Sequence, residues 1–217
     1  MSVIVGIMDR AGLAANTDVL VLVNPAAARL LWVPRDLWCP ALGDRVNVAY
    51  KLGGGAALLA ALAEHGLAAE HSLILSRTAS EAALAAVRVI VPVPARMVFA
   101  YPLAPALPIE DGRKTIEFNP PFEVLSGERV HQWIGARGGT ELHRLERQKV
   151  LLRRLLEQGF DFRAALADPA ACDCSGPAAL AELAQVRPSW AMATFGPLRP
   201  ETIDDKQVLV REEDSGD

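Results

Sequence analysis

Apolar residues fall in short runs divided by polar turns, and the spacing of those runs changes along the chain. Val3, Ile4, Val5 and Ile7 make a first run that ends in Asp9-Arg10-Ala11-Gly12, which predicts a strand leading into a turn. Asp18 precedes Val19-Leu20-Val21-Leu22-Val23, rich in β-branched residues and suited to a strand buried on both faces. Asn24-Pro25 stops it, residues 29–33 predict an antiparallel partner, and Pro34-Arg35-Asp36 ends that partner. Gly53-Gly54-Gly55 opens a helix predicted over residues 56–65, with Leu58, Leu59 and Leu62 on one side and Gly66 at its C-cap.

Leu73-Ile74-Leu75 predicts another strand, and Ser80 is expected to cap a helix reaching about residue 87. Residues 89–93 predict a strand closed by Pro92 and Pro94. Residues 97–109 carry no charge and hold Pro102, Pro105 and Pro108, a spacing that opposes both helix interior and central strand. Two readings stay open for that stretch: a packed connecting loop, or the wall of an apolar ligand pocket. A short strand is predicted over residues 115–118 and a helix over 126–134. A longer helix follows over 140–158, with Leu142, Leu145, Leu152, Leu155 and Leu156 as its apolar stripe. The acidic residues 207–217 are expected to fray.

The chain has 217 residues, which suits one domain with a buried core, and 51% hydrophobic against 22% charged residues excludes general disorder. A net charge of −4 and the lack of a helix-turn-helix pattern argue against nucleic acid as a partner. Three cysteines do not make a disulfide scaffold, and Cys172 and Cys174 are too close for a zinc knuckle. No uninterrupted apolar run approaches the ~18 residues of a membrane span, and no leader-like segment opens the chain. The expectation is a soluble polypeptide, with an anchor upstream of Met1 left open.

Asp9 follows the first strand and Asp18 precedes the second; if the two are antiparallel neighbours, their turn brings both carboxylates to one end of a sheet. Paired oxygen ligands suit Mg²⁺ or Mn²⁺; the same aspartates also serve as plain turn caps. Arg35 ends a strand and Arg137 follows a helix. Arg144, Arg147 and Gln148 share one helix face, expected to lie apart from the leucine stripe. Guanidinium forks match phosphate oxygens, whereas Glu141 and Glu146 would make the same face a solvated one. His131 is read as a core histidine, and Gly53-Gly54-Gly55 lacks the Lys-Ser/Thr of a P-loop.

Several of these segments resemble, in order, the motifs of the LytR-CpsA-Psr (LCP) family. Val5-Gly6-Ile7-Met8-Asp9-Arg10, Asn16-Thr17-Asp18-Val19-Leu20-Val21-Leu22-Val23, Leu31-Trp32-Val33-Pro34-Arg35-Asp36 and Arg45-Val46-Asn47-Val48-Ala49-Tyr50-Lys51-Leu52-Gly53-Gly54 resemble its N-terminal half. Residues 125–137 resemble its later helix and arginine motif, and Glu141-Leu142-His143-Arg144-Leu145-Glu146-Arg147-Gln148 resembles its Asp-x-x-Arg-x-x-Arg-Gln signature. The likeness covers residues 3–159 of a chain read as one domain over 1–217. It implies a three-layer α/β/α sandwich around a mixed sheet. It implies transfer of a glycopolymer from a polyprenyl-pyrophosphate carrier to peptidoglycan or another envelope glycan, at the extracytoplasmic face, with release of polyprenyl phosphate or pyrophosphate. The membrane surface enters through the lipid substrate. By that likeness Asp9 and Asp18 would hold Mg²⁺ (or Mn²⁺), Arg35, Arg137, Arg144 and Arg147 would clamp the pyrophosphate, Gln148 would hydrogen-bond beside them, and Asp36 would orient Arg35. The lipid would enter an apolar tunnel between sheet and helices. The sequence departs from the family pattern at Gly135, where an arginine is usual, at Glu141 in place of Asp, and at Arg10, adjacent to Asp9 where the family's arginine comes two residues on. If Arg10 sets the register, Met8 takes the aspartate position. A module that binds polyprenyl phosphate without transferring the sugar is the alternative that Gly135 brings in.

Overall fold

The computed structural model describes residues 1–10, 13–103, 112–136, 140–160 and 172–212. Strands β1 (Val3–Met8), β2 (Thr17–Asn24) and β3 (Arg29–Trp32) come first along the chain, followed by a small ribbon of β4 (Trp38–Cys39) and β5 (Asp44–Arg45). Helix α1 (Ala49–Ala63), strand β6 (His71–Leu75) and helix α2 (Arg77–Leu84) complete the first half. Then come β7 (Val89–Pro92), β8 (Met97–Pro102), β9 (Arg113–Phe118), β10 (Phe122–Leu125) and helices α3 (Glu128–Gly135) and α4 (Glu141–Glu157). The chain continues through β11 (Cys172–Cys174), α5 (Pro177–Leu183), β12 (Ala191–Thr194) and the pair β13 (Leu198–Ile203) and β14 (Lys206–Arg211).

Six strands make the main sheet in the order β11-β6-β1-β2-β3-β12. β1 runs antiparallel to β2 and parallel to β6, and β3 runs antiparallel to β2, so the sheet is mixed. Side chains alternate across it with period two. Val3, Val19, Val21, Val23, Leu30, Trp32, Leu73 and Leu75 face one apolar core, shared with Leu84, Val130, Leu151 and Leu155 of α2, α3 and α4. Ile4, Met8, Leu20, Leu22 and Ile74 face the other, shared with Leu58, Ala61 and Leu62 of α1. This is the α/β/α layering expected from the sequence. Gly6 sits against the second core: a Cβ there would fall 2.7 Å from Ile74 Cδ1.

Local chemistry explains where the elements start. Gly54 takes φ +63°, a left-handed conformation that breaks α1, so its regular stretch begins near Gly55 as the triple glycine predicts. Residues 46–63 are apolar enough to match a membrane span by length and composition, yet that kink interrupts them, and Leu58, Ala61 and Leu62 bury one side under the sheet. α2 is capped by Ser76, whose side chain accepts from the Ala79 amide; Ser80, the expected cap, lies inside the helix. α4 begins with a capping box between Thr140 and His143.

Three expectations need correction. Residues 97–102 form a strand paired with β9, and none of them lines the apolar cavity described below; residues 104–109 lie outside the described residues. Pro102 is tolerated because it ends β8 on a two-stranded ribbon. Residues 207–211 are not frayed: they form β14, with Val208 buried and a turn at Asp204 and Asp205, both at positive φ. On α4, Leu142 is exposed and Leu151 takes its place in the core.

Candidate functional site

Four strand ends meet along one edge of the sheet. Asp9 follows β1, Asp18 opens β2, Arg35 follows β3 by two residues of turn, and Ser76-Arg77 follow β6. The β1–β2 turn is tied by the Asp9 amide donating to the Asn16 carbonyl at 2.9 Å. In a sheet of this kind, ligands bind in the crevice outside the strand ends.

Asp18 is the hub. Its Oδ1 accepts from Nη1 of Arg35 and from Nη1 of Arg144 at 3.1 Å, and its backbone carbonyl accepts from the same Arg144 nitrogen at 3.0 Å. Arg144 is buried, and Glu141 grips its other side through Nε at 2.8 Å and through Nη2. Bracketing by two carboxylates outweighs its burial and holds the Arg144 guanidinium above its usual range. Asp36 lies 3.6 Å from Arg35 Nε and 3.4 Å from Arg45 Nη1. Burial, and then the charge of Asp18, push the Asp9 carboxyl up from its ordinary value.

Arg147 and Gln148 sit further along α4. Arg147 donates through Nη2 to the Ala136 carbonyl; its burial and the nearby Arg144 charge lower its guanidinium from the usual range. Gln148 is buried and donates to the Ile134 carbonyl at 3.3 Å. The two therefore hold the end of α3 while Arg144 holds the sheet. Arg137 lies outside the described residues. The separation of this polar face from the leucine stripe does not hold: Arg144, Gln148, Leu151 and Leu155 follow one another down the buried side of α4. The sequence shows the spacing, but the acidic partner that lets Arg144 go inside lies 126 residues away.

Beneath that edge, between the sheet and the helices α2 to α5, lies an apolar cavity of about 130 Å³. Val5, Val21, Trp32 and Leu75 line its floor; Leu84, Val130, Leu151 and Leu155 line its roof. It reaches Val19 beside Asp18, Ile134 beside Gly135, and Gln148 one turn from Arg144. The charged cluster and the apolar space thus adjoin.

A divalent ion can be tested against the donors present. Among the described residues, no group of three or more His, Cys, Asp or Glu side chains could hold a metal by itself. Two carboxylates with mutual repulsion, Asp9 and Asp18, fit a hard cation whose remaining ligands are water and phosphate oxygens. The Asp9-Asp18 pair is thus compatible with Mg²⁺ or Mn²⁺ together with a phosphate ligand.

His131 stands as the core residue the sequence reading favoured. It is buried, its Nε2 lies 2.7 Å from Ser80 Oγ, and burial together with the Arg77 charge pushes its pKa down to about 4. The folded value lies below the unfolded one, so this group's stabilisation is complete above pH 6.5 and is lost as pH falls toward 4. The shift corresponds to about 3 kcal/mol. Thermal unfolding from pH 7 to 4 is expected to fall more steeply for the native protein than for His131→Asn; parallel curves would refute the assignment.

No family model matches the chain, and no curated protein matches it in sequence. Solved structures do match its fold. TagV of B. subtilis aligns over 98% of this chain and 91% of its own, at 15% identity and a TM-score of 0.66. TagT bound to LI-WTA aligns over 97% and 83%, at 16% identity and a TM-score of 0.67. A transcriptional regulator from Enterococcus faecalis aligns over 98% and 81%, at 17% identity and a TM-score of 0.66. The chain therefore has an LCP-like fold.

Proposed function

We propose that the protein is an LCP-type phosphotransferase that moves a glycopolymer from a polyprenyl-pyrophosphate carrier to an envelope glycan acceptor such as peptidoglycan. The supporting observation is the junction of a charged strand edge, Asp9, Asp18, Arg35 and Arg144, with an apolar cavity under the same edge. A polyprenyl pyrophosphate has that same division, an anionic head on an apolar tail. The likeness to TagT, solved with a wall teichoic acid ligand, points the same way. The site of action in this reading is the extracytoplasmic face of the cell envelope, at the membrane surface.

Each residue then has a physical task. The cavity takes the first isoprenoid units of the tail, whose burial contributes about 0.8 kcal/mol per methylene. Arg35, held by Asp18, and Arg144, held by Asp18 and Glu141, present guanidinium groups to phosphate oxygens. Asp9 and Asp18 would hold Mg²⁺ or Mn²⁺, which supplies charge neutralisation at the pyrophosphate when bound. An acceptor hydroxyl attacks the phosphorus on the glycan side. The new P–O bond forms as the bridging P–O bond breaks, polyprenyl phosphate leaves with that bond's electron pair, and the hydroxyl proton passes to solvent. Positioning and charge complementarity carry most of such a reaction.

The test is incubation with a polyprenyl-pyrophosphate-linked saccharide, a glycan acceptor and Mg²⁺. Release of polyprenyl phosphate with label appearing on the acceptor is expected. Tight lipid binding with no release under Mg²⁺ or Mn²⁺ would replace this reading with the binding module that Gly135 in place of an arginine favours.

A further inference from the structure

Arg77 has no part in the sites assigned so far, yet it stands on the same edge. It follows β6, the strand beside β1, and its amide donates to the Arg10 carbonyl at 3.1 Å. Its guanidinium lies over the Tyr101 ring, 5.3 Å from the centroid. The edge of that ring lies 3.8 Å from where a Cβ on Gly135 would be, and the same point is 3.6 Å from Asp18 Oδ2. The row of strand ends therefore reads Arg77, Asp9, Asp18, Arg35, in the spatial order β6, β1, β2, β3.

The side chain itself is unusual. It is buried at 4% exposure, with Nε donating to Glu81 at 2.7 Å. Its Nη2 meets no hydrogen-bond acceptor among the described residues. A buried donor left in that state is costly, on the order of 1–3 kcal/mol, and such groups concentrate where a ligand supplies the missing partner. α2 also repeats the plan of α4. Arg144 stands one turn before Gln148 and two before Leu151 on the cavity wall; Arg77 stands one turn before Ser80 and two before Leu84 on the same wall.

We propose that Arg77 is a further pyrophosphate-binding residue, which reaches the anionic head from the β6 side, opposite Arg35 and Arg144, through the space that Gly135 leaves beside Asp18 and Tyr101. The Tyr101 ring covers the guanidinium in the free protein and turns toward Gly135 as the phosphate takes the Nη2 hydrogens. This rests on the pyrophosphate reading above and adds to it a guanidinium on the side where residue 135 has none.

Calorimetric titration with inorganic pyrophosphate and with farnesyl pyrophosphate, both with Mg²⁺, tests it. The native protein is expected to bind both, and Arg77→Gln to bind each about 10-fold or more weakly. Adding Gly135→Arg to Arg77→Gln is expected to restore most of that loss. A Cβ at position 135 makes only ordinary contacts, and an arginine there is expected to reach the same phosphate. A purely structural role for Arg77 predicts no such rescue. If Arg77→Gln does not fold, Arg77→Lys keeps the pairing with Glu81 but loses the planar fork, and is expected to bind with intermediate affinity. In the native protein the Arg77 Nε–H resonance is expected to shift on adding pyrophosphate. Unchanged binding by the variants, absent rescue, or a static Arg77 resonance at saturation would overturn Arg77 and leave the wider reading standing. A native protein that binds neither probe would overturn both.

Discussion

Asp18→Ala is expected to lose polyprenyl-pyrophosphate turnover by on the order of 100-fold or more, and to unfold more easily by about 3 kcal/mol. Both effects come from one oxygen. Asp18 Oδ1 is the acceptor for Arg35 and for Arg144, and Arg144 is buried. Removing the carboxylate leaves two guanidinium groups facing each other across a part-buried gap. Glu141 still pairs with Arg144, and Asp36 still lies near Arg35, so the fold survives in weakened form. Asp18→Asn separates the two effects. Its amide oxygen keeps one acceptor for one guanidinium, so stability recovers in part, while the charge that complements the proposed cation stays lost. Paired measurements of chemical denaturation and polyprenyl phosphate release give the comparison. Full turnover by Asp18→Asn would remove Asp18 from the chemistry and leave it a structural anchor.

Ala83→Trp carries the second large effect. Ala83 lies on α2, half-buried, and lines the cavity. An indole there projects into space that the proposed isoprenoid tail would use. Excluding even two methylenes costs about 1.6 kcal/mol, roughly a 15-fold loss of affinity. Binding of a long polyprenyl pyrophosphate is therefore expected to weaken by at least that factor. Binding of inorganic pyrophosphate, which needs only the strand edge, is expected to stay unchanged. The variant fills a void, so its thermal unfolding is expected at or above that of the native protein. Equal loss for both ligands would mean that the cavity does not serve the tail.

Much of the architecture could be read from the chain before any coordinates. The β-branched run of β2 and the apolar run of β1 gave two central strands, and Asp9 and Asp18 fell at their shared end as the turn required. The triple glycine placed the working start of α1. Other features depend on distant partners and so leave no local mark. Arg144 looks like a solvated residue on a basic helix until Asp18 is brought to it. Leu142 fits the helical period but projects outside because α4 meets the sheet with Leu145, Leu151 and Leu155. The β7–β10 pairing brings together distant segments, with Leu125 against Val89, and no local pattern announces it. Arg77 did have a signal. Leu75-Ser76-Arg77 repeats Val33-Pro34-Arg35, a strand end, a turn-forming residue and an arginine.

The two sides of the sheet differ in solidity. Under α1, Gly6 lets the tip of Ile74 approach so closely that an added methyl would force it to shift, and the layer is filled. Above the opposite face, α2, α3, α4 and α5 pack on the sheet around an apolar cavity. Atoms along that cavity lack neighbours on one side and forgo the attraction that a filled interior would give them. The two layers therefore differ in what they enclose: the α1 side is filled, and the side under α2 to α5 keeps an apolar space.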